Sequence, residues 1–236
     1  MSQQYNQLLN EVKSVSSIID NPNLLNQIEN KANDSILHIM LYGAYNAGKS
    51  TLVNAILGEE KAKVEDIPTT DSVDYYNWNG MKLLDTPGVN APIQHQEITE
   101  TELTRSSVIL FVIREGDLDS KDVYDRLINL LLRNKKIFIV LNHQLQNQEK
   151  MKIIDYVRDI LVRKAIEQNI QPNKLESIGI IAMNLRSALN GRLSSNEKLL
   201  SHSGFNEFIS EFNDWLTIQN TERERFNGFK NYVNEN

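Results

Sequence analysis

Short apolar runs alternate with longer amphipathic segments through most of the chain. Six runs of four to six residues are bounded by polar residues or glycine, which is typical of buried strands rather than of helices. The predicted strands are Ile36–Leu41, Val73–Trp78, Met81–Leu84, Val108–Ile113, Ile137–Leu141 and Ile178–Met183.

The segments between most of these runs carry apolar residues at spacings of three and four, the period of an amphipathic helix. The predicted helices are Ser50–Leu57, a segment near Glu97–Leu103, Lys121–Arg133, Glu149–Glu167 and a C-terminal stretch from Glu197 onward. Because strands joined through helices of this length usually run parallel, the order predicts an α/β fold with a mostly parallel sheet.

Both ends of the chain carry a helical pattern. The N-terminal stripe ends at Asn21-Pro22-Asn23 and is followed by a short helical stretch, Leu24–Glu29. Its apolar positions are Leu8, Leu9, Val12, Val15, Ile18 and Ile19, and those of the C-terminal stripe are Phe205, Phe208, Ile209, Phe212, Trp215 and Leu216. We therefore expect an N-terminal helical extension over residues 1–34, a core over 35–195 and a C-terminal helical segment over 196–236.

Two interpretations of the C-terminal stripe stand at this point. It either packs on the sheet or on the N-terminal helix, or it joins the N-terminal stripe in a two-helix appendage for self-association or leads into a stalk outside this sequence.

The amino-acid composition excludes several classes of functional site and disfavours one class of partner. The absence of cysteine excludes disulfides, thiolate metal sites and cysteine nucleophiles. The four histidines are far apart, and none is paired with another at helical i, i+4 spacing, so no zinc motif is present. With 25 basic against 31 acidic residues, the net charge of -6 disfavours nucleic acid as a partner, because binding to phosphates favours basic proteins.

Apolar runs in this sequence are far shorter than the roughly 18 to 20 residues of a membrane-crossing helix. The polar start MSQQYNQ does not resemble an export signal. We therefore expect a cytoplasmic protein that associates with membranes only indirectly.

The strongest chemical signal follows the first predicted strand. Residues 43–50, GAYNAGKS, match G-x-x-x-x-G-K-[S/T] and run directly into a predicted helix. Gly43 and Gly48 let the backbone wrap around a triphosphate, Lys49 reaches the outer phosphates, and Ser50 offers a hydroxyl to Mg²⁺. The backbone N–H groups that complete this nucleotide-binding loop come from the stretch that includes Asn46, Ala47, Gly48, Lys49, Ser50 and Thr51.

A second phosphate motif, DTPG, follows the predicted strand Met81–Leu84. Asp85 at the strand's end is placed to hold Mg²⁺ through water, and the Gly88 N–H is placed to meet the γ-phosphate. Between the two motifs, the segment IPTTD is expected to close over the nucleotide, with Thr70 rather than Thr69 completing the metal shell. Taken alone, that segment is equally compatible with a proline turn whose threonines bond the local backbone.

Together, GAYNAGKSTLVNAILG, the PTT segment and DTPG resemble a translation-factor-class GTPase of the Ras-like fold. Within that class the chain is similar to the GTPase domain of bacterial dynamin-like proteins, and next to GTPases of the Era and MnmE type. The dynamin-like preference rests on the N-terminal helical pattern and on SALNGRL followed by SGFNEF. The resemblance covers about residues 35 to 195 and implies a three-layer P-loop NTPase sandwich, GTP or GDP as ligand and Mg²⁺ as cofactor.

The base-recognition motif of that family, N-K-x-D, corresponds here to Asn142-His143-Gln144-Leu145. Leucine cannot accept the two N–H bonds that the family aspartate takes from guanine, which leaves guanine or adenine open as the base. Asn142 fits the motif, His143 is expected to lie along the base, and Gln144 or Gln146 offers an amide oxygen instead. The family's last loop is expected among Asn184, Leu185, Arg186, Ser187 and Ala188.

Water activation also departs from the Ras pattern, because Val89 replaces the glutamine that often follows DTPG. Dynamin-like, Era and MnmE GTPases share a hydrophobic residue there, and the resemblance implies a monovalent cation, commonly K⁺, or dimerisation instead. Asn46 stands where the MnmE type helps to hold potassium. An equally simple interpretation is a loop asparagine that bonds its own turn.

The sequence thus predicts a dynamin-like GTPase domain, slow alone and faster when it self-associates as a homodimer through the nucleotide face or binds a monovalent cation. Lys49, Ser50, Thr70 and Gly88 are its expected catalytic residues, and Ser50, Thr70 and Asp85 its expected metal-binding residues. Three alternatives stay open: a nucleotide-gated interaction module with little or no activity, an NTPase that also accepts ATP, and an Era-like RNA factor, for which the chain lacks a basic appendage.

Overall fold

A computed structural model describes residues 37–62, 73–86, 100–144 and 147–219. The strands are β1 His38–Gly43, β2 Asp74–Trp78, β3 Met81–Asp85, β4 Val108–Arg114, β5 Lys136–Asn142 and β6 Gly179–Met183. The helices are α1 Lys49–Leu57, α2 Lys121–Leu132, α3 Asn147–Glu167, α4 Pro172–Glu176, α5 Leu185–Leu193, α6 Glu197–Ser203 and α7 Phe205–Ile218. Residues 100–105 are also helical, and Glu115–Asp117 form a 3₁₀ turn.

The six strands form one sheet in the order β2-β3-β1-β4-β5-β6. Only the β2–β3 pairing in this sheet is antiparallel, and the other four pairings are parallel. This arrangement confirms the predicted Ras-like P-loop NTPase fold with a mostly parallel sheet.

Apolar side chains pack on both faces of the sheet, which makes the three predicted layers. One core joins alternate residues of β1 and β4 to α1, α5 and α7. The other joins the intervening residues, such as Met40 and Ile109, to α2 and α3. Central strands are buried on both faces, which explains why they appear in the sequence as continuous apolar runs.

Element bounds differ from the predictions in a few places. β1 extends two residues beyond Leu41, to Gly43, because it stays paired with β4 up to that point. The stretch from Glu197 onward is two helices, α6 and α7, separated at Gly204. Two helices were not predicted: α4 has only five residues, and α5 contains Gly191, which leaves little helical periodicity to detect.

Helix α7 lies against the sheet through an aromatic cluster. The Phe212 ring is stacked 6.0 Å from Trp78 of β2 and 5.6 Å from Phe208, and it meets Phe138 of β5 edge-on at 5.1 Å. The Trp215 Nε1–H donates to the Ser177 carbonyl at 2.8 Å. This contact pattern is the one expected if the C-terminal stripe packs on the sheet.

The predicted N-terminal helix and the stretch Leu24–Glu29 lie outside the described residues, so the expected bounds 1–34, 35–195 and 196–236 stay predictions. None of the described helices combines the length and the apolar character of a membrane-spanning segment.

Candidate functional site

The turn between β1 and α1 lies at the carboxyl end of the sheet and requires glycine twice. Gly43 has φ 151°, and a Cβ atom there would lie 2.3 Å from the Val112 carbonyl oxygen of neighbouring β4. Gly48 has φ 108°, and its Cβ would lie 2.9 Å from the Asn142 amide nitrogen and 2.8 Å from a Leu185 methyl carbon. Substitution of either residue would push the loop off the sheet edge.

Lys49 begins α1 and is only 7% exposed. Its Nζ donates to the carbonyl oxygens of Gly43 at 3.3 Å and Ala44 at 3.0 Å. Burial lowers the pKa of Lys49 to about 8, and the Asp85 charge counteracts part of that shift. A desolvated ammonium held by loop carbonyls is ready to exchange them for phosphate oxygens, which are stronger acceptors.

Asp85 ends β3 directly beside the loop and is 3% exposed. Burial raises its pKa to about 6, while the Ser50 hydroxyl and the Lys49 charge act in the opposite direction. Among the described residues its Oδ1 atom has no hydrogen-bond partner. A buried carboxylate oxygen without a partner beside a serine hydroxyl fits Mg²⁺, which binds oxygen ligands from one or two carboxylates together with phosphates.

Thr86, the second residue of DTPG, was not predicted to have a role. Its hydroxyl donates to the Leu41 carbonyl at 2.8 Å and is buried. This bond holds the end of β3 against β1 and so keeps Asp85 next to the nucleotide-binding loop of residues 43–50, the P-loop. The motif alone could not indicate this partner, since Leu41 lies 45 residues earlier in the chain.

Asn142 at the end of β5 connects three segments of the site. Its side-chain amide donates to the Ala47 carbonyl at 3.0 Å, and its oxygen accepts the Leu185 N–H at 3.4 Å. The same asparagine therefore holds the P-loop to the turn between β6 and α5. Leu185, buried against Gly48, is a site residue whose contact with the P-loop the sequence did not indicate.

His143 and the loop after β6, where the sequence predicts the base site, lie next to each other. The His143 side chain is 2% exposed, and burial lowers its pKa. The backbone N–H of His143 donates to the Met183 carbonyl at 3.1 Å. In this arrangement the ring has almost no surface to offer a base, whereas Gln144 is exposed. Asn184 caps α5 by accepting the Ser187 N–H at 2.8 Å, and its own N–H donates to the Ser203 carbonyl at 2.9 Å.

The structure brings most of the predicted site residues together at one edge of the sheet. These are Gly43, Asn46, Ala47, Gly48, Lys49, Ser50, Thr51, Asp85, Asn142 and His143. Asn46 is exposed and has φ 58°, and the Ala47 N–H donates to the Ala44 carbonyl at 3.2 Å. The remaining predicted positions lie outside the described residues: Thr69, Thr70, Gly88, Val89, Leu145 and Gln146.

Residues 38–143 match the protein family described as 50S ribosome-binding GTPase. The tRNA modification GTPase MnmE of Mycoplasma mycoides subsp. mycoides SC is 27% identical over 182 residues, which is 66% of this chain and 39% of that protein. GTPase Der of Chlorobaculum tepidum is 32% identical over 171 residues, which is 66% of this chain and 36% of that protein. The chain thus spans well under half the length of these curated relatives.

A chain from the structure of an oligomerised bacterial dynamin pair aligns with 99% of this chain and 54% of its own length, with a TM-score of 0.65 and 18% identity. At that identity the likeness shows the fold alone. Sequence match, fold and loop geometry together support a P-loop GTPase domain, with relatives of the Der and MnmE type and dynamin structural neighbours.

Proposed function

We propose that this domain binds a guanine nucleotide with Mg²⁺ and hydrolyses GTP to GDP and phosphate, slowly as a monomer and faster when it self-associates. The observation that carries the proposal is the buried Lys49 ammonium, bonded to the Gly43 and Ala44 carbonyls beside the Ser50–Asp85 pair. The proposal is supported by relatives that are named as GTPases.

The residues of the loop act on the phosphates by position and charge. Lys49 exchanges its two carbonyl acceptors for oxygens of the outer phosphates, and the N-terminus of α1 directs its free N–H groups at the same oxygens. Charge that develops on the transferred phosphoryl group is then met by donors already in place, so little reorganisation is needed.

Ser50 and Asp85 are the described residues placed to hold Mg²⁺, which when bound neutralises phosphate charge. Thr70 and Gly88 are proposed to sense the γ-phosphate. With Val89 in place of glutamine, the proposal assigns charge compensation in the transition state to K⁺ held near Asn46 or to a group from a second copy. The dynamin-like fold, shared with a chain from an oligomerised pair, favours self-association.

Two further candidates rest on departures from the family motifs. Leu145 removes the acceptor for guanine, which favours an NTPase of relaxed base specificity that also binds ATP. Leu145 and Val89 together favour a nucleotide-gated interaction module with little or no turnover.

Calorimetry with GTP and ATP in Mg²⁺, on the parent, Lys49→Ala and Lys61→Ala, tests nucleotide binding. Lys61 is an exposed lysine near the same helix, paired with Glu59 at 2.6 Å, so its loss controls for charge alone. We expect Lys49→Ala to weaken GTP binding by about 10- to 100-fold, since a hydrogen bond to a charged group contributes about 1.5–3 kcal/mol. Equal, negligible affinity in parent and Lys49→Ala would overturn the proposal.

Phosphate release measured over a range of protein concentrations, in K⁺ and in Na⁺, tests the enzymatic part. We expect turnover per molecule to rise with protein concentration or with K⁺. Binding without turnover in any of these conditions would favour the interaction module, and equal affinity for GTP and ATP would favour the relaxed NTPase.

A further inference from the structure

A second carboxylate lies opposite Asp85 on the neighbouring strand. The antiparallel register of β2 and β3 pairs Asp74 with Asp85. Directly opposed residues of an antiparallel pair project to the same face, with Cβ atoms about 4.5–5.5 Å apart. The two carboxylates are therefore immediate neighbours.

The shared face is the one that α1 covers. Tyr76 and Trp78, which alternate with Asp74 along β2, pack into the core that contains Leu83 of β3 and Leu52 of α1. Asp85 on the same face lies beside Ser50 and Lys49, both of which favour its charged form. Asp74 therefore lies on this face beside the P-loop, at the end of the sheet where the nucleotide is proposed to bind.

The described groups leave this pair with an excess of negative charge. Lys49 is the cation that acts on Asp85, whereas the group that acts with Asp74 is the Tyr76 hydroxyl, which is neutral. Asp74 repels the Asp85 charge, and the buried Asp85 Oδ1 has no partner among the described residues. Two adjacent carboxylates, one with a buried unpaired oxygen, favour a hard divalent cation.

We propose that Asp74 is a positioning residue for the metal, adding a second negative charge to the Ser50–Asp85 site and raising the affinity of the nucleotide-loaded protein for Mg²⁺. The inference rests on the proposed function, since the phosphates supply the remaining oxygen ligands. In the absence of metal the Asp74 charge repels the phosphates. Asp74 thus makes tight nucleotide binding depend on bound Mg²⁺.

The test measures the affinity of a fluorescent GDP analogue for the parent and Asp74→Asn, first in EDTA and then along a Mg²⁺ titration. We expect Asp74→Asn to shift the Mg²⁺ midpoint upward by about tenfold, the lower end of the effect usual for residues that support metal ligands. In EDTA its GDP affinity should equal or exceed that of the parent. A variant that merely damages the fold would lose affinity under both conditions.

Two matched controls separate charge from structure. Tyr76→Phe removes the hydroxyl that acts with Asp74 but keeps both carboxylates, and Asp159→Asn removes an exposed carboxylate on α3. Both should keep the parent's Mg²⁺ midpoint. An unchanged midpoint in Asp74→Asn, a loss of equal size in EDTA and Mg²⁺, or an equal shift in Tyr76→Phe would each overturn the inference. A parent that binds no GDP at all would instead overturn the proposed function itself.

Discussion

At the scale of single residues, the site holds two opposite charges that burial penalises. Lys49 and Asp85 are both nearly inaccessible to solvent, and burial moves the pKa of each toward its neutral form, to about 8 and about 6. Their mutual attraction offsets only part of this cost. Residues selected for stability alone would not be buried in this way, so the pair indicates a site arranged for a charged ligand.

This arrangement predicts a specific dependence of stability on pH in the nucleotide-free protein. The pKa of Asp85 is about 6 in the folded protein and about 4 in an unfolded chain. The protonated carboxyl therefore contributes its full share to the free energy of unfolding below pH 4, and this share is lost as the pH rises through 6. Asp85→Asn removes that loss. Relative to the parent, its free energy of unfolding should therefore rise between pH 4 and pH 7, by on the order of 3 kcal/mol.

Urea denaturation at several pH values checks this prediction. In the parent, the stability that Lys49 contributes is full above its ordinary pKa and is lost as the pH falls through about 8, above the range measured here. In Asp85→Asn the loss of the Asp85 charge lowers the pKa of Lys49 further, which changes the difference from the parent in the same direction. For the control Asp159→Asn, the difference in free energy of unfolding from the parent should not change with pH. A difference that is likewise independent of pH for Asp85→Asn would contradict the burial of the Asp85 charge.

At the scale of elements, α7 closes one face of the sheet. Its aromatic residues meet Phe138 of β5 at 5.1 Å for Phe212 and 5.5 Å for Trp215, while Trp78 stacks on Phe212 from β2. The helix thus spans the sheet from β2 to β5 and β6. Its packing makes α7 part of the same core as α1.

We therefore expect Phe212→Ala to destabilise the protein by about 3–5 kcal/mol, the usual cost of deleting a fully buried phenylalanine ring. The natural control is Ile218→Ala on the same helix, where the side chain is 79% exposed and the change should stay within about 0.5 kcal/mol. Both are measured by chemical denaturation. If Phe212→Ala costs as little as Ile218→Ala, α7 does not unfold together with the sheet.

At the scale of the whole molecule, the topology gathers the site from distant parts of the chain. β1, β3 and β5 are parallel, so their carboxyl ends place the P-loop, Asp85 and Asn142 at one edge. A nucleotide bound there would touch segments from both halves of the sheet. Binding should consequently stabilise the global fold rather than one loop.

Thermal unfolding tests this consequence. At a GTP concentration about 100 times the Kd, with Mg²⁺ present, linkage predicts about 2.7 kcal/mol of added stability. For a chain of this size that corresponds to a rise in Tm of about 5–10 °C. Lys61→Ala should show the parent's rise, and Lys49→Ala, with its 10- to 100-fold weaker binding, about half of that rise or less. A rise of equal size with ATP would indicate relaxed base specificity, and no rise in the parent would contradict nucleotide binding at this edge.

The sequence by itself determined the alternation of strands and helices, the parallel character of the sheet and the phosphate-binding loop GAYNAGKS. These features depend on residues that are neighbours along the chain: apolar runs form buried strands, and a glycine-rich loop binds phosphate through consecutive backbone N–H groups. The sequence did not predict α4, because a helix of five residues is too short to show a hydrophobic period.

Only the tertiary structure decided which side chains meet across the site. The bridge from Asn142 to Ala47 and Leu185 and the Thr86 bond to Leu41 depend on strand order and register. The opposition of Asp74 to Asp85 differs, because the two-residue Asn79-Gly80 turn between Trp78 and Met81 sets the register of β2 and β3 locally. Local sequence does not encode the contacts of Asn142 and Thr86, because the segments that they join are far apart in the chain and meet only when the whole sheet packs between its two helical layers.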